Sequence, residues 1–135
     1  MKFVEPLDNE VVRRVTPDHQ HAQSLLKMSK NNLLVVKQIP LTDDSASLIL
    51  SSAYESLRQV LEAIALKNGY KVFSHVKYTS YLEQNNEQAA SKVFDRLRKL
   101  RNGVNYYGNA VPKEVTKQAL QDIQKLCKQL EEKYC

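Results

Sequence analysis

The spacing of the apolar residues limits the possible folds of this chain more than any other feature. Apolar side chains recur at steps of three and four along most of the sequence, for example at Ile49, Ala53, Leu57 and Val60. This spacing places them on one face of an α-helix. The chain also has only 3 glycines and 4 prolines in 135 residues, too few for the many tight turns of an all-β fold. The sequence therefore predicts an all-α protein.

Residues that start and stop helices divide these apolar stripes into segments. Thr16-Pro17-Asp18 predicts a helix start with Thr16 as the N-cap, and Pro40 ends that helix after about twenty residues. A second helix is predicted at 46–67, where Asn68-Gly69 forms the stop. Further segments follow at about 74–84, 88–100 and 112–135. The short connections predict an antiparallel four- to five-helix up-and-down bundle over residues 16–135, preceded by an N-terminal arm, residues 1–15.

Several classes of protein are excluded by what the sequence lacks. It has no apolar run of about 18 residues, so we expect no membrane span, and its acidic start argues against a secretory signal. Cys127 and Cys135 lack the spacing of zinc ligands and fit a reducing, cytoplasmic setting. His19 and His21 are two residues apart and point to different helix faces. We therefore predict a cytoplasmic protein with no metal site and no cofactor.

The charge of the chain is concentrated in its last third. The net charge is +5, and residues 1–90 are balanced, whereas residues 91–135 hold ten Lys or Arg against five Asp or Glu. A basic region of this kind favours a polyanionic partner such as RNA, DNA or a nucleotide phosphate. The alternative is a solvated, lysine-rich helix face with no ligand.

The segment 97–109 combines an arginine, asparagines, tyrosines and glycines between two predicted helices. Arg101 continues the apolar stripe of the preceding helix, so its charge needs an acceptor. The guanidinium group suits a phosphate or a carboxylate. In the alternative interpretation Arg101 forms an internal ion pair with Glu55 or Glu62, and Gly103 is only a helix C-cap. His75, at the start of the third helix, is interpreted as a capping or packing residue.

Four stretches together carry a family resemblance. They are residues 54–63 (YESLRQVLEA), Gly69-Tyr70-Lys71, Ser74-His75 and residues 101–108 (RNGVNYYG). In this order, and with this number of helices, residues 17–135 resemble the HEPN superfamily. The resemblance implies a helical bundle that is usually dimeric. It also implies one of three activities: metal-independent ribonuclease, RNA or nucleotide binding, or partnership with a small nucleotidyltransferase in a toxin–antitoxin pair.

The resemblance also implies particular site residues. Active members carry an arginine, a polar residue, three further residues and a histidine; Arg101 and Asn102 match the first two, and Tyr106 stands at the histidine position. A tyrosine with a pKa of about 10 is a poor base at pH 7. A tyrosine that is nucleotidylated in some members corresponds to Gly108, next to Tyr107. The implied phosphate or nucleic-acid contacts are Arg98, Lys99, Arg101, Asn105 and Tyr107.

Three hypotheses follow. The first is a HEPN-like module that binds RNA or a nucleotide, noncatalytic or weakly catalytic, and is a homodimer or the partner of a nucleotidyltransferase. The second is a metal-independent endoribonuclease that uses Arg101 and Asn102, with Tyr106 in the usual histidine position. The third is a structural helical interaction protein, in which Arg101 belongs to an internal ion pair.

Overall fold

The computed structural model describes residues 12–108 and 110–135 of the chain. Its elements in chain order are β1 (Val12–Arg14), α1 (His19–Gln38), α2 (Ala46–Lys67), β2 (Tyr70–Val72), α3 (Val76–Gln84), α4 (Gln88–Tyr107) and α5 (Lys113–Tyr134). The five helices contain most of the described residues, which confirms the all-α prediction. The two strands are three residues long and pair antiparallel.

Helix α2 lies at the centre of the fold, and α1, α4, α5 and β2 all pack against it. Its apolar face is wide, because Ala53, Leu57, Val60 and Leu61 are all completely buried. Helix α1 runs antiparallel to α2, since the Asp18 N–H donates to the Leu66 carbonyl while the Ser29 hydroxyl donates to the Ser56 carbonyl. Helix α5 begins beside the start of α2, where the Thr116 hydroxyl donates to the Ala46 carbonyl at 3.0 Å.

The ends of α1 and α2 lie close to their predicted positions. The N-cap of α1 is Asp18 rather than Thr16, because the Asp18 carboxylate accepts a 2.9 Å hydrogen bond from the His21 N–H. Helix α2 ends at Lys67 as predicted, and Gly69 follows with φ +84°. A Cβ atom at Gly69 would lie 3.0 Å from the Val15 carbonyl oxygen, so both the backbone angle and the space require glycine.

Helix α4 is longer than predicted, and segment 97–109 is therefore not a loop between helices. The helix continues to Tyr107, with Gly103 inside it, so the interpretation of Gly103 as a C-cap is wrong. The stop is Gly108, which has φ +66° and donates its N–H to the Gly103 carbonyl. A glycine inside a helix costs only about 1 kcal/mol relative to alanine. The packing of Leu100 and Val104 against the core offsets this cost.

The strands were not predicted, because three residues are too short to show an alternating pattern. In the segment predicted as an arm, β1 pairs with β2, with Val12 opposite Val72; residues 1–11 lie outside the described part of the chain. We refer to β1 and β2 together as the ribbon. At the other end of the sequence, Val115 at the start of α5 is 39% exposed, and the next residue, Thr116, is completely buried.

The two cysteines lie in different surroundings. Cys127 is buried, and burial raises the pKa of its thiol to about 12, whereas Cys135 is exposed. Both are free thiols.

Within residues 12–108 and 110–135, no helix combines the length and the apolar character that crossing a bilayer requires.

Candidate functional site

Arg101 lies on the buried side of α4, one turn after Leu97, and its side chain is half-buried. Its guanidinium carbon is 5.4 Å from the ring centroid of Tyr54 on α2. The Tyr54 ring is completely buried and stacks on Phe94 with the ring centroids 5.7 Å apart. The guanidinium group therefore lies against a fixed aromatic surface, an arrangement that arginine favours.

The hydroxyl group of Tyr54 faces a second functional side chain. Its oxygen is 3.2 Å from Nδ1 of His75, and the centroids of the two rings are 6.0 Å apart. The His75 side chain makes no capping hydrogen bond at the start of α3, so its role as a cap is not observed. Tyr54 is thus in contact with both Arg101 and His75, which are 26 residues apart in the sequence.

The electrostatic surroundings keep both rings uncharged at neutral pH. Burial lowers the pKa of His75 below its usual 6.5, and the positive charges of Arg58 and Arg101 lower it further, against a smaller opposing effect of Glu55. Burial raises the pKa of Tyr54 to about 12, although the charge of Arg101 opposes this rise. The imidazole is therefore a neutral base, and the phenol keeps its proton.

The acids that were weighed as partners of Arg101 bind a different arginine. Arg58 makes ion pairs with Glu55 at 2.6 Å and with Glu62 at 2.7 Å. The two acids lie three residues before and four residues after Arg58, a spacing that places all three side chains on one helix face. Glu55 and Glu62 thus both bind Arg58, and the ion pair of Arg101 with one of them stays a prediction.

The other predicted contact residues are placed in different ways. Arg98 and Lys99 both pair with Asp95 on the same helix, at 2.9 Å and 3.0 Å, and these contacts lower the pKa of Asp95. Asn102 is half-buried beside Arg101. The side chains of Asn105, Tyr106 and Tyr107 lie outside the described part of the chain, so their predicted roles stay predictions.

Arg101 also lines an open groove of about 500 Å³ between α1 and α2. Asn32, Ser51 and Ser52 supply polar groups to this groove. Its apolar wall includes Val35 and Leu48, which are 59% and 60% exposed. We call this space the α1–α2 groove; it is lined by Asn32, Val35, Val36, Ile39, Leu48, Ser51, Ser52, Glu55 and Arg101. Its volume lies in the range of small-ligand sites.

No protein-family model matches the chain, and the comparison with curated proteins likewise gives no match. The resemblance to the HEPN superfamily therefore depends on the sequence stretches quoted above. Among the described residues, no group of three His, Cys, Asp or Glu side chains is arranged to hold a metal ion.

Sequence reasoning identified Arg101 but missed two parts of this site. The contact of His75 with Tyr54 joins residues 21 positions apart, and no local pattern indicates such a pair. The α2 side of the α1–α2 groove had a signal in the sequence. Leu48, Ser52 and Glu55 are spaced four and three residues apart, which places them on one face of α2.

Proposed function

We propose that the protein is a HEPN-like helical module that binds RNA or a nucleotide in the α1–α2 groove. The observation that carries this proposal is the position of Arg101, which lines the groove and whose guanidinium group lies against the Tyr54 ring. The family resemblance adds a homodimer or a nucleotidyltransferase partner, which light scattering and co-purification would test; the cysteine content adds a cytoplasmic setting.

The groove offers the groups that a nucleotide needs. A guanidinium group held against a ring loses little side-chain entropy on binding and can donate two parallel hydrogen bonds to a phosphate. The Ser51 and Ser52 hydroxyls and the Asn32 amide supply further hydrogen-bonding groups. Val35 and Leu48 provide an apolar wall for a base. The net charge of +5 favours the approach of an anion.

A binding assay with a matched control tests the proposal. Fluorescence anisotropy of labelled single-stranded RNA, at low salt and with competing nucleotides, should give saturable binding by the wild type. Arg101→Ala should weaken binding about tenfold or more, because a charge-assisted contact to phosphate is lost. Arg96→Ala should change it less than about twofold, because Arg96 is exposed and pairs with Asp122 across the outer side of the bundle. Equal effects of the two variants would contradict the proposal.

The position of His75 favours a second candidate function, a metal-independent endoribonuclease. In this reaction the 2′-hydroxyl attacks the adjacent phosphorus and the bond from phosphorus to the 5′ oxygen breaks. The products are a 2′,3′-cyclic phosphate and a 5′-hydroxyl. In the tautomer that this step needs, Nδ1–H of neutral His75 donates to the Tyr54 oxygen, so Nε2 accepts the 2′-hydroxyl proton and later releases it to water, while water protonates the 5′ oxygen. Arg101 stabilises the negative charge on the phosphate.

A cleavage assay without metal separates this candidate from binding alone. Wild-type protein in a chelating buffer should cut single-stranded RNA, and both His75→Gln and Arg101→Ala should lose the activity. Tyr106→Phe tests the residue at the motif position. If this variant is inactive while His75→Gln stays active, the proton transfer is assigned to Tyr106. Intact RNA after long incubation with folded wild-type protein would leave a binding module only.

A further inference from the structure

The ribbon carries an exposed aromatic ring with two cations beside it. Phe73, directly after β2, is 54% exposed, whereas Tyr54 and Phe94 in the core are completely buried. The guanidinium carbon of Arg13 is 5.5 Å from the centroid of the Phe73 ring, and Nζ of Lys71 is 5.7 Å from it. We call Arg13, Lys71 and Phe73 the ribbon patch.

The arrangement of the ribbon patch does not favour stability. Arg13 and Lys71 are directly opposite each other in the β1–β2 register. Like charges in this position destabilise a strand pair. In the described part of the chain neither of them makes an ion pair with a carboxylate, unlike Lys99 and Lys133, which pair with Asp95 and Glu87. A large exposed ring adds no buried apolar area in compensation.

We propose that the ribbon patch binds single-stranded RNA, with a base stacked on Phe73 and the neighbouring phosphates in contact with Arg13 and Lys71. The inference rests on the proposed function, to which it adds a second contact surface for the same ligand. An aromatic ring that accepts bases, combined with cations that follow the backbone, is the arrangement by which proteins bind single strands.

The chemistry of the patch distinguishes RNA from other anionic partners. An acidic peptide would use the two cations but would gain nothing from the exposed ring. A lipid surface would need a larger apolar area than one ring. In a single strand, phosphates flank each base, and the patch combines one ring with two cations at 5.5 Å and 5.7 Å from its centroid. A base that replaces one cation on the Phe73 ring leaves that cation available to a phosphate.

The patch is also close in sequence to the groove site. Only Ser74 separates Phe73 from His75, which is in hydrogen-bond contact with Tyr54. As part of the inference, one bound strand contacts both surfaces. A strand held at the ribbon patch would carry its neighbouring nucleotides toward the Arg101 side chain, which would increase affinity through a second point of attachment.

A single-tryptophan variant gives a direct readout of stacking. The chain contains no tryptophan, so Phe73→Trp places the only indole at the patch. Titration with single-stranded RNA should quench its emission in a saturable way, with the same midpoint as the anisotropy of labelled RNA. Poly-glutamate should not quench it. Anionic vesicles, which would shift the emission to shorter wavelength on insertion, should leave it unchanged.

Substitutions without a reporter complete the test. Phe73→Leu should weaken RNA binding about fivefold or more, because stacking is lost while an apolar side chain remains. Arg13→Gln and Lys71→Gln should each reduce the slope of log affinity against log salt by about 0.7, the value for one phosphate contact on a single strand. Lys27→Gln on α1 removes the same charge from an exposed position and should leave this slope unchanged.

The results separate this inference from the proposed function. Binding that depends on Arg101, without tryptophan quenching and without an effect of Phe73→Leu, would overturn the role of the ribbon patch and keep the proposed function. Binding that depends on Phe73 but not on Arg101 would keep the role of the ribbon patch and overturn the proposed function. Quenching or a blue shift with vesicles alone would assign the patch to lipid and overturn the inference. No RNA binding by the wild type would overturn both.

Discussion

The α1–α2 groove and the ribbon patch both place cations against an aromatic ring, but they do so in opposite surroundings. At the groove, Arg101 lies on Tyr54, a ring that is completely buried between α2 and α4. At the ribbon patch, Arg13 and Lys71 lie near Phe73, a ring that is more than half exposed. The same pair of chemical groups is thus part of the core in one region and of the surface in the other.

The difference indicates what each region contributes to binding. Around the groove, Tyr54 is fixed by core packing, and its ring supports the Arg101 guanidinium group. Such preorganisation gives a defined position for one phosphate. The ribbon side chains are exposed and can rearrange, which suits contacts that tolerate any base. We therefore expect the groove to determine where the ligand binds and the ribbon patch to add affinity.

The largest expected effect sharpens the contrast between the two rings. Tyr54→Ala should lower the free energy of unfolding by about 3–5 kcal/mol, because it leaves a large cavity beside Phe94 and removes the support of Arg101. Phe73→Ala should change it by less than about 0.5 kcal/mol, because the ring is exposed. Urea unfolding curves measure both. Equal losses would show that Phe73 is part of the core and would remove the contrast.

A smaller effect is expected at the two glycines with positive φ, Gly69 before β2 and Gly108 at the end of α4. Gly69→Ala should cost about 1–3 kcal/mol, because the new Cβ atom would be strained and also meets the Val15 carbonyl oxygen at 3.0 Å. Gly108→Ala, at the end of α4, should cost about 1 kcal/mol, because nothing lies within 4 Å of its Cβ position. Thermal unfolding of the two variants checks the order. A larger loss at Gly108 would contradict the close packing of the ribbon on α2.

The smallest expected effect is a pH dependence of stability that arises at His75, in contact with Tyr54. The folded pKa of His75 is lowered, so the unfolded chain binds more protons between that value and 6.5. Stability contributed by neutral His75 is present above about pH 6.5 and is lost as the pH falls through the folded pKa. Urea unfolding between pH 7.5 and pH 5 should show that the free energy of unfolding falls as the pH falls. The slope should correspond to the uptake of less than one proton per molecule on unfolding.

Two variants assign this pH dependence to its region. His75→Gln should flatten the profile, because the titrating imidazole is removed. Phe73→Leu should keep the wild-type profile, because the substitution changes no titrating group. An unchanged profile in His75→Gln would mean that the burial of this imidazole does not contribute to the acid sensitivity of the fold.

Most of the fold follows from local sequence patterns, and its departures have local causes. Helix α2 has the predicted bounds because a wide apolar stripe and the Asn68-Gly69 stop agree with each other. The prediction for α4 ended too early because Gly103 was interpreted as a stop. Tertiary packing of Val104 continues the helix to Gly108, where the φ angle is positive. The strands are stabilised by pairing between distant segments, which no local pattern indicates.

The candidate site was predictable only in part, for a similar reason. Arg101 was found because a charge on an apolar stripe is a local anomaly. His75 and Tyr54 meet because α3 packs against α4 and α4 packs against α2, so their contact depends on the assembled bundle. The groove depends on the exposed faces of two helices, and Val35 and Leu48 become neighbours only after α1 folds back along α2.

The central claim, that RNA or a nucleotide binds in the α1–α2 groove, is tested most directly by placing a charge inside the groove. Leu48→Glu introduces a carboxylate on the groove wall, and Leu34→Glu introduces the same charge at an equally exposed position, 57% against 60%, outside the groove lining. We predict that Leu48→Glu weakens RNA binding at least tenfold and that Leu34→Glu weakens it about threefold or less. Equal affinities of the two variants would contradict the placement of the ligand in the groove.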